Sequence, residues 1–409
     1  MKGSEGIPAL KLVNLNKLIT KFDKAPDLFF SSMFPSNQYD SDTIKWEIEY
    51  GSAGITPFVA PGSPAPTVGV DGTGEGSAKA AYFKEKMFLD EEYLNNLRKP
   101  GTTATYQTAE RHLARGVKKL DYRIQRRREW MFAKMFIDNG FSYHIKGGAK
   151  FTINYGVPAN HIYTVPYTWG SDSANVNIVG DIFDAKIQLS EDSGAKVDYA
   201  LCNSSVLRIL LTDTNSNGIQ SLLKKSAYGN GDLFARPSEV IGALLGIGTL
   251  KVYDEWYDLP GFLLADAAAG DTTIYIDDVA DYEVGGKLRF HDLTEYNTWE
   301  DCVISAVNVT NGTVTLSTGP VSTYKRKTSK VTMRKKFISD NKFHLGSDMF
   351  EGQKIAEFLE APFGLERHWG KYADKKDEWD PDGVWLRFQD KGLPVLYFPE
   401  TSITLDVVV

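Results

Sequence analysis

Cysteine is nearly missing from this chain: Cys202 and Cys302 are the only two in 409 residues, and neither belongs to a Cys-x-x-Cys pair. That excludes a disulfide framework and a cysteine-type zinc site, and predicts two reduced thiols in a reducing compartment. Histidine is sparse as well. The six, at positions 112, 144, 161, 291, 344 and 368, are scattered without the His-Glu-x-x-His or two-at-four spacing that a metal ion needs. No stretch reaches the roughly 18 apolar residues of a membrane-spanning helix, and the opening MKGSEGIPALKLVNL lacks the apolar core of a signal peptide. The expectation is a chain that stays in a cytoplasm-like space. Net charge is −7, against the basic balance of a dedicated nucleic-acid binder.

Catalytic motifs are equally scarce. Gly-Ser-Ala-Gly-Ile at 51–55 misses the Gly-x-Ser-x-Gly elbow because its second glycine comes too early. Ser221 and Lys224 match Ser-x-x-Lys, but the companion motifs of that chemistry are absent. The glycine-rich run at 68–76 has no Gly-Lys-Ser/Thr and reads as a loop tip. Glu378, Asp380, Asp382 and Gly383 imitate the start of a calcium loop, yet Pro381 intrudes and Gln389 takes the place of the bidentate glutamate, so a turn between strands is expected. No catalytic residue, cofactor or metal is assigned.

What is present is a long amphipathic helix. Between Ala109 and Asn139, Leu113, Val117, Leu120, Ile124, Met131 and Met135 recur at helical spacing, no proline interrupts, and Gly140 follows where a capping glycine belongs. Roughly thirty residues at about 1.5 Å each make a rod of about 45 Å. Its other face carries Arg111, Arg115, Lys118, Lys119, Arg123, Arg126, Arg127 and Arg128. These cations are candidates either for phosphate attraction or for pairing with acids such as Asp90, Glu91 and Glu92.

Around this helix the chain reads as α+β. Residues 1–40 hold short apolar clusters and a short helix near Lys24 to Met33, as in an arm lying on another surface. Ile44, Trp46, Ile48 and Tyr50 alternate with polar residues, a strand with one buried face. From Gly51 to Ser77 the composition turns to Gly, Pro, Ala and Ser before a second strand, Ala80 to Leu89. A loop this long inside a domain is uncommon. Its apolar residues Ile55, Phe58, Val59, Val68 and Val70 need another chain to cover them. Further on come a strand at Phe151 to Tyr155, an amphipathic helix at Asn177 to Ser190, a buried strand at Asp198 to Cys202, a helix capped by Asn203, and a helix from Ser238 to Leu245 ending at Gly246. Residues 261–331 lose all helix signals and show short alternating strands between turn residues, which predicts a small β-barrel or sandwich inserted in the preceding domain. Its acids from Asp266 to Asp301 are expected on a solvated outer face. Strands at Val384 to Phe388 and Leu393 to Phe398 precede an apolar closing strand from Ile403 to Val409.

Three stretches carry a family resemblance: LFFSSMFP at 28–35, the LRKP to RRREW segment that opens and fills the long helix, and FISDNKFHLG at 337–346 with the tail LPVLYFPETSITLDVVV. In this order they resemble the major capsid proteins of tailed double-stranded DNA phages, the lambda-type branch of the Hong Kong ninety-seven fold. The resemblance implies an N-terminal arm at 1–40, an extension loop at 41–90, a peripheral domain at 91–174 with its spine helix at 109–139, and an axial domain at 175–260 with a return at 332–350. Peripheral strands would fill 351–409, and the β insert at 261–331 departs from the pattern. It further implies hexamers and pentamers in an icosahedral shell around packaged DNA, a separate scaffolding protein, a portal protein, a decoration protein on some shells, and assembly in the bacterial host cytoplasm. An encapsulin-type compartment and a glycan-binding or enzymatic protein working through the β insert stay open as alternatives.

Overall fold

The computed structural model describes residues 10–11, 14–16, 28–49, 56, 58–59, 63–64, 73–91, 94–95, 103–144, 150–171, 173, 175–212, 219–224, 226, 235–292, 299–380 and 382–408, with the side chains of 103–112 and 144 left aside. They fall into two compact units, residues 1–253 with 340–409, and residues 254–339.

The first unit opens with Leu10 and Leu15, both fully buried, and a short helix α1 (Phe29–Met33). Residues 24–27 of the helix expected there lie outside the described residues. Strand β1 (Ser36–Gln38) follows, then the hairpin β2 (Thr43–Ile48) and β3 (Gly74–Lys79), and the ten-residue β4 (Ala81–Asp90). The long helix α2 runs Thr103–Asp138, starting six residues before the expected Ala109. Leu113, Val117, Leu120, Ile124, Met131 and Met135 are all buried. Its end differs from the expectation: Asn139, at φ 56°, takes the left-handed position, which asparagine tolerates. Gly140 instead starts strand β5 (Gly140–His144), where a Cβ would stand 2.0 Å from the Ile153 carbonyl oxygen of β6 (Lys150–Asn154).

A short β7 (Ile162–Thr164) leads to the helix α3 (Ile178–Ser193), whose start is capped by the Asn177 side chain accepting from Gly180 N–H. Next come β8 (Tyr199–Cys202) and α4 (Ser204–Thr212), at whose start the Asn203 carboxamide oxygen accepts from Val206 N–H. Helices α5 (Ile219–Lys224) and α6 (Pro237–Leu245) and strand β9 (Thr249–Val252) complete this stretch, with Gly246 left-handed after α6. These helices bury Ile182, Leu189, Val206 and Ile241 against a five-stranded sheet, in which β8 pairs in parallel with β9.

The second unit starts with β10 (Trp256–Gly261) and continues through β11 (Thr273–Tyr275), β12 (Lys287–Asp292), β13 (Trp299–Asn308), β14 (Thr313–Leu316) and β15 (Ser329–Lys336). The sheet order is β10-β15-β12-β13-β14-β11. A bridge between Leu263 and Ile276 joins the continuations of β10 and β11 and closes the sheet on itself around Ile274, Leu288, Phe290, Val314 and Met333. Boundaries at 261 and 331 would cut through β15 and strip away β10; the compact unit spans 254–339 because those two strands pair along their length. Several of its acids, exposed as expected apart from the half-buried Glu300, also hold backbone donors. Asp266 accepts from Arg326 N–H, Asp271 from Ala268 N–H, Asp277 from Phe262 N–H, and Glu300 from Val321 and Ser322 N–H. They cap turns, as short acidic side chains do where backbone donors lack a strand partner.

Back in the first unit, β16 (Lys342–Gly346) lies between β8 and the closing strand β22 (Ser402–Asp406) in the five-stranded sheet. A small hairpin, β17 (Met349–Phe350) and β18 (Gln353–Lys354), precedes β19 (Ala356–Glu360) and β20 (Tyr372–Trp379). The two strands expected at 384–388 and 393–398 are one, β21 (Asp382–Leu396), fifteen residues long. It pairs with β4, β20 and β19 and forms the centre of the sheet on which α2 lies. The calcium-loop imitation is the β20–β21 turn, since Trp379 pairs with Asp382.

Candidate assembly surface

Two parts of the first unit bear on function: the charged half of α2 and the β2–β3 stem. From Asp121 onward α2 buries several of its charged side chains, while Arg123 and Asp138 stay exposed. Arg128 donates through Nε to Asp390 at 2.6 Å and through an Nη to Glu360 at 2.7 Å. Burial disfavours its charge, and the two carboxylates outweigh that and raise its pKa. Asp121, fully buried, takes Lys371 at 2.7 Å and Gln125 Nε2 at 2.6 Å. Glu129 accepts from the backbone N–H groups of Phe30 and Ser31 at 3.0 and 2.8 Å, and from the Tyr253 hydroxyl at 2.9 Å. Burial raises its pKa while these donors pull it back. The carboxylate thus holds the start of α1 on the spine, where Phe30 and Phe34 stack on Phe132 and Phe136.

The predicted cations therefore divide. Arg128 pairs with Glu360 and Asp390, and Arg123 pairs with Glu85, all acids remote in sequence from the helix stretch that carries them. Arg127 lies over Trp130 at 4.8 Å and Lys118 over Tyr122 at 5.2 Å. Arg126 is half-buried, Arg115 and Lys119 are exposed, and the Arg111 side chain and Glu92 lie outside the described residues.

In the stem, Ile44 and Trp46 of β2 are buried, as the alternation predicts. Trp46 faces Gly76 in register, and a Cβ at Gly76 would come within 2.2 Å of the indole, so only glycine lets the ring lie against β3. The chain between β2 and β3 shows Phe58 at 105 % exposure and Val59 at 53 %. Ile55, Val68 and Val70 lie outside the described residues. Other apolar groups also face outward: Phe183 and Ile187 one turn apart on α3, Leu365, and Trp379. Sequence reasoning missed the α3 pair, although apolar residues at i and i+4 off the buried stripe were a readable signal.

Among the described residues no group of three His, Cys, Asp or Glu side chains could hold a metal ion, and no helix is long and apolar enough to cross a membrane. A family profile described as phage major capsid protein E matches residues 11–280. The chain belongs to that family. As a capsid subunit it is a structural protein by family and fold, built to associate with its own kind. It resembles the crystal structure of a protein assigned as the capsid of a prophage of Escherichia coli CFT073, with TM-score 0.52 and 13 % identity over 97 % of this chain and 99 % of that one. A phage-related protein from Bordetella bronchiseptica RB50 (TM-score 0.47, 9 % identity, 96 % and 95 % covered) and the mature capsid protein of bacteriophage PhiM1 (0.42, 12 %, 94 % and 87 %) also resemble it. The Escherichia coli prophage structure shows the shared fold. No curated protein matches in sequence.

Proposed function

We propose that this capsid subunit forms hexamers and pentamers of an icosahedral shell enclosing packaged double-stranded DNA. The observation that carries the reading is the family match over 11–280, on a fold whose stem and α3 leave Phe58, Val59, Phe183 and Ile187 uncovered. Uncovered apolar groups of this kind mark surfaces that other chains bury. In this reading a scaffolding protein guides assembly in the host cytoplasm, a portal protein occupies one vertex, and α2 with β19–β21 forms the peripheral domain, which β4 joins by pairing with β21 although the boundary at 90 would leave it in the extension loop. The helices α3–α6 form the axial domain, and the β unit at 254–339 offers a place for a decoration protein. The segment between β2 and β3 bridges to a neighbouring subunit.

Electron microscopy of the purified chain, alone and co-expressed with the scaffolding protein of the same phage, tests this. Closed shells with five- and six-fold capsomers are expected, and a chain that stays monomeric in both preparations overturns the reading. Replacing residues 51–72 with a short Gly-Ser turn should leave a soluble subunit and impair particle formation. Normal particles from that variant would remove the bridging role.

A further inference from the structure

The stem of the extension loop carries a groove of about 460 Å3 between the β2–β3 and β5–β6 hairpins. Trp46 and Ile48 line it from β2, Gly76 and Ser77 from β3, and Phe151 and Ile153 from β6. Its size falls in the range of sites that take a small ligand or a few residues of a peptide. Trp46 is 5 % exposed, and its indole N–H finds no acceptor among the described residues. Buried donors without partners are rare in native proteins, so an orphan at the wall of a groove calls for an acceptor from outside. The Cβ that Gly76 lacks would stand 2.6 Å from that same Nε1, which places the donor beside the groove-lining backbone of β3. An occupant must therefore bring apolar side chains for Trp46, Ile48, Phe151 and Ile153 together with an oxygen acceptor. A short extended piece of polypeptide supplies both, its carbonyl to the indole and its side chains to the slot.

We infer that the groove seats Phe58 and Val59 of a second copy of this chain. The inference rests on the bridging role proposed for the segment and names its seat. In their own subunit these two residues are exposed, Phe58 fully, so they do not fill the groove beside them. They sit ten and eleven positions after Ile48, a reach of at most about 35 Å to Phe58 for extended chain, enough to cross to an adjacent subunit. A shell subunit meets its own copies more often than any other protein. Because groove and plug belong to the same subunit, every copy can give one contact and receive one, and a head-to-tail set closes into a ring.

The test uses two single variants, Val59→Cys and Thr152→Cys, co-expressed and assembled into particles, then treated with a short bismaleimide. The native Cys202 and Cys302 are buried and do not compete. A covalent dimer is expected from mixed particles and from neither variant alone. Intact mixed particles that yield no dimer overturn the inference and leave the shell reading standing, with the N-terminal arm of a neighbour or a separate protein as the remaining occupants. If the unmodified chain builds no particles, the shell reading fails and the inference with it. Replacing Trp46 alone with 3-benzothienylalanine, introduced by nonsense suppression, keeps a bicyclic ring of nearly the same size and removes the N–H, where a phenylalanine would also leave a cavity. Particles of that variant should dissociate at lower denaturant while the isolated subunit melts as before; an equal loss in the isolated subunit would show that the N–H serves the fold and not the contact.

Discussion

Up to Arg123, α2 buries one stripe on the sheet of β21 and, apart from the buried Asp121, leaves its charges outside, with Arg115, Lys118, Lys119 and Arg123 exposed; from Ile124 to Ile137 the same helix is enclosed, with Glu129 fully buried and Arg128 nearly so. The first half is an ordinary surface helix whose charge stays hydrated. The second half carries its charge inside, and every buried ion there has a defined opposite number or a set of donors. The physics of the two differs accordingly: screened and individually weak in the first, desolvated and mutually dependent in the second. What looks in sequence like one basic rod is a cationic outer segment joined to a structural ion network.

The strongest way to break the comparison is to remove one buried partner. Arg128→Met keeps the bulk and leaves Asp390, whose side chain is 0 % exposed, with no cation at Arg128's place. An uncompensated buried carboxylate costs roughly 3–5 kcal/mol, which denaturant unfolding of the isolated subunit would read directly. Arg123→Gln removes the exposed pair with Glu85, worth about 1 kcal/mol or less. Equal losses from the two would dissolve the distinction between the halves.

A smaller effect sharpens the picture of the enclosed half. His344 packs against Phe30, Phe136 and Tyr199, donates or accepts at Thr404 Oγ1 over 2.8 Å, and has its pKa lowered by burial to about 3. The unfolded histidine titrates near 6.5, so below that pH the unfolded chain binds a proton that the native state refuses. Stability therefore falls as pH drops from about 6.5 towards 3, by about 1.4 kcal/mol per unit, or about 2 kcal/mol at pH 5. Glu129 works the other way: its raised pKa favours the native state in acid, and that contribution fades as pH rises through the native value. The difference between wild type and His344→Gln in the stability lost from pH 7 to pH 5 isolates the histidine. It should be about 2 kcal/mol, and identical pH profiles would contradict it.

The two halves were also unequally legible. Leu113, Val117, Leu120 and Ile124 announce their buried stripe through spacing alone, because a helix on a sheet needs a period near 3.6. The network at Arg128 could not be read that way, since Glu360 and Asp390 lie 232 and 262 positions further along the chain. Only the sheet that brings β19 and β21 beside the helix makes them partners. Gly392 and Pro394 similarly hid the continuity of β21. Pairing with β4 ends at Gly392, so Pro394 falls where only β19 is registered beside the strand and a missing N–H is tolerated. The stem alternation of Ile44 and Trp46 was plain; the orphan indole and its groove were not, for they depend on β6 arriving from a hundred residues away.

The smallest stability effect belongs to the exposed half, and there function has to carry the reading. Arg115→Gln and Lys119→Gln together should change subunit stability by less than about 0.5 kcal/mol, because neither side chain is buried. If these cations face packaged DNA, their loss should show instead in binding. Each phosphate contact contributes about 0.9 to the slope of log affinity against log salt, so the double variant should flatten the slope of DNA binding by opened shells by about 2. An unchanged slope would assign the exposed cations to neighbouring subunits. A loss of stability comparable to that of Arg128→Met would mean that the outer half, too, is held by ions it cannot spare.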